Sequence, residues 1–136
     1  MKIIIDTNIF ISLQIFQDIN HKKATTLFKE YQNLRAQFYT NTFVIDETLT
    51  RLVYDLSYIE ANKFYKKIIE AHKSNEIYIL ETNKIDINNA WKRLAKLQDH
   101  KLSLTDGTII EHLEQYNLDS IFTFDSHFQQ VGCKTN

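Results

Sequence analysis

The sequence predicts a three-layer α/β/α domain built on a mainly parallel central sheet, and three observations predict it. Lys2-Ile3-Ile4-Ile5 and Ser120-Ile121-Phe122-Thr123-Phe124 are runs rich in β-branched and aromatic residues without polar alternation, the pattern of strands covered on both faces. Stretches with apolar residues at helical spacing separate the strand candidates, which reads as an α/β arrangement. Both runs end on an acid, Asp6 and Asp125, and ligand sites in such sheets lie beyond the carboxyl ends of the strands.

The elements follow in order. After the first strand, Ile9-Phe10-Ile11-Ser12-Leu13 opens a short helix. His21 to Gln37 carries Ala24, Leu27, Phe28, Tyr31 and Leu34 at helical spacing. Phe38-Tyr39-Thr40 is a second short strand, and Thr42 to Leu56 is a helix with Ile45, Leu49, Leu52 and Leu56 on one stripe, capped by Asn41 or Thr42. Ser57-Tyr58-Ile59-Glu60 has the spacing of a capping box and starts a further helix whose Ala61, Phe64, Tyr65, Ile68 and Ile69 face inward. Ile77-Tyr78-Ile79-Leu80 is the third strand. Ile85 to Gln98 is a helix with Ile87, Ala90, Trp91, Leu94 and Leu97 on its apolar side. Leu102-Ser103-Leu104-Thr105-Asp106 leads into the last helix, with Ile109, Ile110 and Leu113 as its stripe and Asn117 at its end. The fourth strand, Ser120 to Phe124, follows, and Val131-Gly132-Cys133 supplies a short edge strand.

The chain of 136 residues reads as one domain, 1–136, long enough to bury a sizeable core. With no proline and only Gly107 and Gly132, it has no linker composition. Its 16 Lys and Arg against 17 Asp and Glu give a net charge of -1, so any polyanionic partner must be met by a local patch. Cys133 alone excludes an intrachain disulfide and argues against a cysteine-zinc site. No apolar stretch approaches the roughly 18 to 20 residues that span a bilayer, and the N-terminus enters a strand instead of a signal sequence. A cytoplasmic protein that does not meet the membrane is expected.

Four acids stand out. Asp6 and Asp125 exit strands, Asp106 starts a helix, and Glu47 lies in the first turns of the helix after Thr40. Each has a plainer reading. A strand-end aspartate often caps the next helix or turn. Ser103 and Asp106 have capping-box spacing. Glu47 precedes Arg51 by four residues, as in an exposed helix pair, and Asp46 beside it is equally acidic.

The order and surroundings of these residues resemble the PIN domain, and in particular the VapC-type toxin ribonucleases of bacterial toxin and antitoxin pairs. The resemblance spans nearly the whole chain. It rests on Ile4-Ile5-Asp6-Thr7-Asn8, on Thr42-Phe43-Val44-Ile45-Asp46-Glu47-Thr48-Leu49, on Leu102-Ser103-Leu104-Thr105-Asp106, and on Thr123-Phe124-Asp125-Ser126-His127-Phe128. The resemblance selects Glu47 over Asp46 and implies a catalytic and metal-binding set of Asp6, Glu47, Asp106 and Asp125. It also implies supporting roles for Thr7 and Asn8 after the first acid and for Thr105 before the third. Gly107 stands where the family often has alanine or cysteine, which would loosen the helix start that carries Asp106.

The chemistry this implies is consistent. Two carboxylates about 5 Å apart repel by roughly 3 kcal/mol at an effective dielectric constant near 20, and four together need a compensating cation. Mg²⁺, or Mn²⁺, is the cofactor the resemblance implies, since hard cations prefer carboxylate oxygen. Asp6, Asp106 and Asp125 would be the principal ligands, with Glu47 holding a water or a second metal. The implied reaction is hydrolysis of an RNA phosphodiester to 5′-phosphate and 3′-hydroxyl ends. A loop of tRNA or rRNA is the expected substrate, an antitoxin protein laid across the acidic groove and a second copy of the chain the expected partners. Basic residues at His21-Lys22-Lys23, at Lys63, Lys66 and Lys67, and at Lys92, Arg93 and Lys96 are candidates to hold the RNA backbone. His127 is a candidate phosphate contact, with local packing beside Phe128 as its plainer reading. Competing readings are an RNA-processing nuclease without an antitoxin, a non-catalytic RNA-binding or scaffold domain, and a metal-dependent phosphatase. The phosphatase is disfavoured because Asn8, not an aspartate, stands two positions after Asp6.

Overall fold

Ile3, Ile4 and Ile5 are all fully shielded from solvent within strand β1, Lys2–Ile5, which requires cover on both faces of that strand. The computed structural model describes residues 1–136, and β1 lies inside a four-stranded sheet. Its partners are β2, Gln37–Asn41, on one side and β4, Ser120–Phe122, on the other, with β3, Ile77–Leu80, outside β2. All pairings are parallel, so the order is β3-β2-β1-β4. Parallel neighbours need crossovers, and helices provide them. Helices α1, Thr7–Gln14, and α2, His21–Asn33, link β1 to β2; α3, Thr42–Asp55, and α4, Tyr58–Lys73, link β2 to β3. Helices α5, Lys84–Lys96, and α6, Leu104–Gln115, link β3 to β4, and a short α7, His127–Gln130, follows. No helix is long and apolar enough to cross a membrane.

The register fixes what meets at the carboxyl edge. Ile5 is paired with Phe122, so Asp6 emerges beside Thr123. Ile4 is paired with Tyr39, which brings Thr40 beside Ile5, and the Thr40 hydroxyl donates to the Ile5 carbonyl at 3.2 Å.

Several local expectations change. The second helix ends at Asn33 instead of Gln37, because Arg35 adopts a left-handed conformation (φ 54°) that turns the chain into β2. With so few glycines, Asn75, Lys101 and Asn117 serve the same purpose at other turns. Ser57 caps α4, its hydroxyl accepting from Glu60 N, but Glu60 turns its carboxylate to Lys63 at 2.8 Å and does not complete the box. A full capping box instead opens α5, from Asn83 and Asp86. Tyr65 and Trp91 point to solvent, 47% and 66% exposed, because Ala61, Phe64 and Ile68, and Ala90 and Asp86, hold the inner faces of α4 and α5. Val131–Cys133 forms no strand; a parallel bridge joins Ile121 to Thr135 there.

Gly107 sits where α5 and α6 pack together. A Cβ at that position would lie 3.2 Å from Leu94 Cγ and 3.3 Å from both the Cβ and the carbonyl oxygen of Ala90. The missing side chain lets α5 and α6 approach closely. Arg93 locks the same pair, donating to both carboxylate oxygens of Glu114 at 2.9 and 2.7 Å and to Glu111 at 2.9 Å. Arg93 is therefore committed to the fold and is not free to hold an RNA backbone.

Candidate metal centre and nuclease site

Asp6 is the centre of the acidic edge. It is 4% exposed, and three donors converge on it. Thr7 N donates to Oδ1 at 2.7 Å, while Asn8 Nδ2 and the Thr123 hydroxyl donate to Oδ2 at 2.6 and 2.7 Å. Burial nevertheless dominates and pushes the Asp6 carboxyl up to about 7. The Thr123 and Thr7 bonds pull it down, and the charges of Asp106 and Glu47 push it further up. Those last contributions place Asp106 and Glu47 within electrostatic reach of Asp6.

Each remaining acid arrives on its own element. Glu47, on α3, accepts from the Thr7 hydroxyl at 3.0 Å through Oε2, so Thr7 touches two acids at once. Asp46 makes no such bond, and the structure thus separates the two neighbours that periodicity left level. Asp106 completes the capping box that Ser103 opens on α6. Its Oδ2 accepts from Ser103 N at 2.9 Å and its own N–H is bound by the Ser103 hydroxyl at 3.0 Å. Burial raises its carboxyl above the usual range, the Ser103 bonds oppose that, and the Asp125 and Glu47 charges add to it. Asp125 closes the set. Its N–H donates to the Thr123 hydroxyl at 2.9 Å, and its Oδ1 accepts from His127 N at 2.8 Å with His127 Nδ1 at 2.6 Å.

Asn8 fastens the two strand exits together. Its Oδ1 accepts from Phe124 N at 3.0 Å and its Nδ2 reaches both Asp6 and the Thr123 hydroxyl. Thr105 is half-buried beside Asp106, and it is its carbonyl, not its hydroxyl, that is engaged, by the Thr108 hydroxyl at 2.7 Å. Thr123 is the residue that sequence reasoning missed. It touches Asp6, Asn8 and Asp125, and a lone polar residue between Phe122 and Phe124 was the available signal.

The donor set suits a hard cation. Glu47 Oε1, Asp106 Oδ1 and Asp125 Oδ2 accept no hydrogen bond, and Asp6 Oδ1 accepts only one. Every acid therefore keeps lone pairs for a ligand. No three acidic, histidine or cysteine side chains close on a common point. One cation of the protein also stands at this edge. Lys23, near the start of α2, lies over the Phe124 ring at 5.0 Å from its centroid, one residue from Asp125.

The architecture is that of an α/β protein with a four-stranded parallel sheet, and the four acids lie on separate elements. The PIN domain model matches residues 3–133, and the chain belongs to the PIN domain family. Three solved structures share the fold. The VapC20 toxin of Mycobacterium tuberculosis, described as cleaving the sarcin-ricin loop, is 19% identical with a TM-score of 0.82, covering 96% of this chain and 95% of its own. VapBC2 of Rickettsia felis, solved on a promoter DNA fragment, is 11% identical with a TM-score of 0.72, covering 100% and 98%. FitAcB of Neisseria gonorrhoeae is 15% identical with a TM-score of 0.68, covering 98% and 95%. No curated protein sequence matches the chain.

Proposed function

We propose that the protein is a metal-dependent endoribonuclease, the toxin of a toxin-antitoxin pair, with Asp6, Glu47, Asp106 and Asp125 as its catalytic set. The observation that carries this is the arrangement of four acids at one sheet edge, Asp6 buried and the others half-buried, with Asp6 and Asp106 raised above the usual range and all four keeping free lone pairs. Asp6, Asp106 and Asp125 would hold Mg²⁺ or Mn²⁺, and Glu47 would orient water or a second ion. The chemistry such a cation would supply, held by these acids, is neutralisation of charge on the phosphoryl oxygens and a lowered pKa for an attacking water. Water adds to phosphorus and the bond to the 3′ oxygen breaks, leaving 5′-phosphate and 3′-hydroxyl ends.

Thr7, Asn8 and Thr123 keep the acids in place, and Thr105 flanks Asp106. Lys23 binds a phosphate of the RNA and offsets the repulsion between the acidic edge and a polyanion. Single-stranded loops of tRNA or rRNA are the substrate class, since unstacked bases and an accessible backbone suit an open edge. VapC20, which shares the fold, is described as a toxin that cleaves the sarcin-ricin loop.

An antitoxin has an apolar surface to occupy. A groove of about 1160 Å³ runs between α2 and α4 over the sheet, with Phe10, Phe28, Phe38, Phe64 and Ile68 in its walls and Lys66 and Lys67 on its rim. Ile5 lies in its inner wall, while Gln37, Asn75, Glu76 and Ile77 line it at the amino ends of β2 and β3, the edge opposite the acids. Exposed Tyr54, Tyr58 and Ile59 at the α3–α4 turn suit burial against a second copy.

The test is cleavage of total cellular RNA with Mg²⁺ or Mn²⁺, comparing wild type with Asp6→Asn and mapping the cut ends. Wild type should cut and leave 5′-phosphates, chelation should stop it, and Asp6→Asn should fall to background. Equal products from both proteins would refute the assignment.

A further inference from the structure

We propose that Asn41, acting with Thr108 and His112, is a positioning residue that sets the placement of Glu47 relative to Asp106. This rests on the reading of those two acids as parts of the nuclease site. The residues involved are wholly inside the protein: Asn41, Thr108 and His112 are 0% exposed and Asp86 is 2% exposed. None of them belongs to the acidic edge.

Asn41 is the last residue of β2 and the N-cap of α3. Its Oδ1 accepts from Val44 N at 2.9 Å, which is all that capping requires. That backbone donor also fixes which end of the amide is oxygen, so Nδ2 must face α6. Both of its hydrogens are used there, one toward Thr108 Oγ1 at 3.1 Å and one toward His112 Nδ1 at 3.2 Å. Thr108 spends its own proton on the Thr105 carbonyl and is free to accept. His112 Nδ1 must accept too, which puts the ring proton on Nε2. Nε2 lies 3.4 Å from Asp86 Oδ2; the contact is off-line and is not an aligned hydrogen bond. Asp86 is held in turn by the capping box of α5.

One amide therefore joins the helix bearing Glu47 to the helix bearing Asp106. Glu47 is six residues, or about 9 Å along the axis, from Asn41, and Asp106 is two residues from Thr108. A small rotation of either helix about this tie changes how the two carboxylates face a cation. Capping alone would be served by serine, and two further bonds across to α6 have no part in it. Residues behind a ligand shell commonly change metal affinity or activity by about 10- to 100-fold.

Asn41→Ser keeps an oxygen for Val44 N but is too short to reach α6. Thr108→Val removes the acceptor at nearly constant volume, and Thr108→Ser keeps it. Three quantities are measured for each: Mn²⁺ affinity of the RNA-free protein by electron paramagnetic resonance, kcat and KM for RNA cleavage, and Tm. Asn41→Ser and Thr108→Val should bind Mn²⁺ and turn over at least about 10-fold less well, with KM for RNA within twofold and the protein folded at the assay temperature. Thr108→Ser should behave as wild type. The inference is overturned if both variants keep wild-type Mn²⁺ affinity and kcat, or if their losses vanish once a stabilising osmolyte restores Tm. Should Asp6→Asn cut RNA like wild type, the assignment of the site itself fails, and the inference with it; a dead Asp6→Asn beside a fully active Asn41→Ser refutes the positioning role alone.

Discussion

Asp6→Asn, examined for stability in metal-free protein, tests the electrostatic core of the site independently of catalysis. The Asp6 carboxyl is raised from 3.8 to about 7, first by burial and then by neighbouring acids. A raised carboxyl binds its proton more tightly in the folded than in the unfolded chain. Its contribution to stability is thus complete below about pH 4 and is lost as the pH rises toward 7. Between pH 5 and pH 8 that loss amounts to about 3 kcal/mol, at 1.36 kcal/mol per unit. Asparagine cannot ionise, so the variant lacks this slope. Its amide keeps an oxygen for Thr7 N but sets an N–H group among the Asn8 and Thr123 donors, a penalty that is the same at both pH values. The assay is urea denaturation of both proteins with chelator at pH 5 and pH 8. Relative to wild type, the variant should gain about 3 kcal/mol between the two conditions. Raising Mn²⁺ at pH 8 should reverse the order, because only the wild-type carboxylate binds the ion. A wild-type-to-variant difference that stays constant within about 0.5 kcal/mol would show that Asp6 is ionised in the folded apo protein without strain, and would refute the argument.

Three further outcomes are expected. Lys23→Gln should raise KM for RNA with little change in kcat, and should lower the slope of log affinity against log salt by about 0.7 to 0.9; binding to the inactive Asp6→Asn background reads this directly. His127→Ala should cost less than about tenfold in kcat, because Asp125 Oδ1 keeps the His127 backbone N–H, and a loss of about 100-fold or more would assign the ring a proton-transfer role. Arg35→Gly should stabilise the protein by about 0.5 to 1 kcal/mol in denaturant melts, since φ at that position is 54° and a side chain there costs about 1 to 2 kcal/mol, partly offset by the freedom glycine brings to the unfolded chain.

The strand framework was legible because burial on both faces leaves so plain a mark: Ile3, Ile4 and Ile5 admit no other reading, and their parallel pairing follows from the helical spacing between strands. The acids at Asp6 and Asp125 were legible for the same reason, as abrupt ends of apolar runs. Helix faces were less so. Trp91 fits the apolar spacing of α5, yet Asp86 holds the inner face in its place, which becomes visible only once His112 on another helix stands opposite. The packing role of Gly107 was not legible because a glycine's cost in a helix is local, whereas its benefit here lies in the distance to Ala90. The part Thr123 plays, and the bonds Asn41 makes to α6 beyond its expected cap, escaped notice since short polar residues at strand exits ordinarily close turns. What separates them is the register, which sets Thr123 beside Asp6, and the approach of α6 to the end of β2.

For Asp6 and Asp106, capping a helix is compatible with the proposed ligand role, because the capping bonds leave other lone pairs unused. Asp6 caps α1 through Oδ1 and Asp106 caps α6 through Oδ2. In each case a backbone N–H at a helix start faces the carboxylate, where the helix dipole favours negative charge. These bonds pull both groups toward ionisation against burial and mutual repulsion. The caps therefore do part of what a cation would do, and they do it while leaving lone pairs unused. Four acids can then remain gathered in the apo protein without unfolding its edge. Had each carboxylate been fully satisfied by protein donors, the fold would be more stable and a cation would have no oxygen left to bind; had none been capped, the cluster would not hold together long enough to meet one.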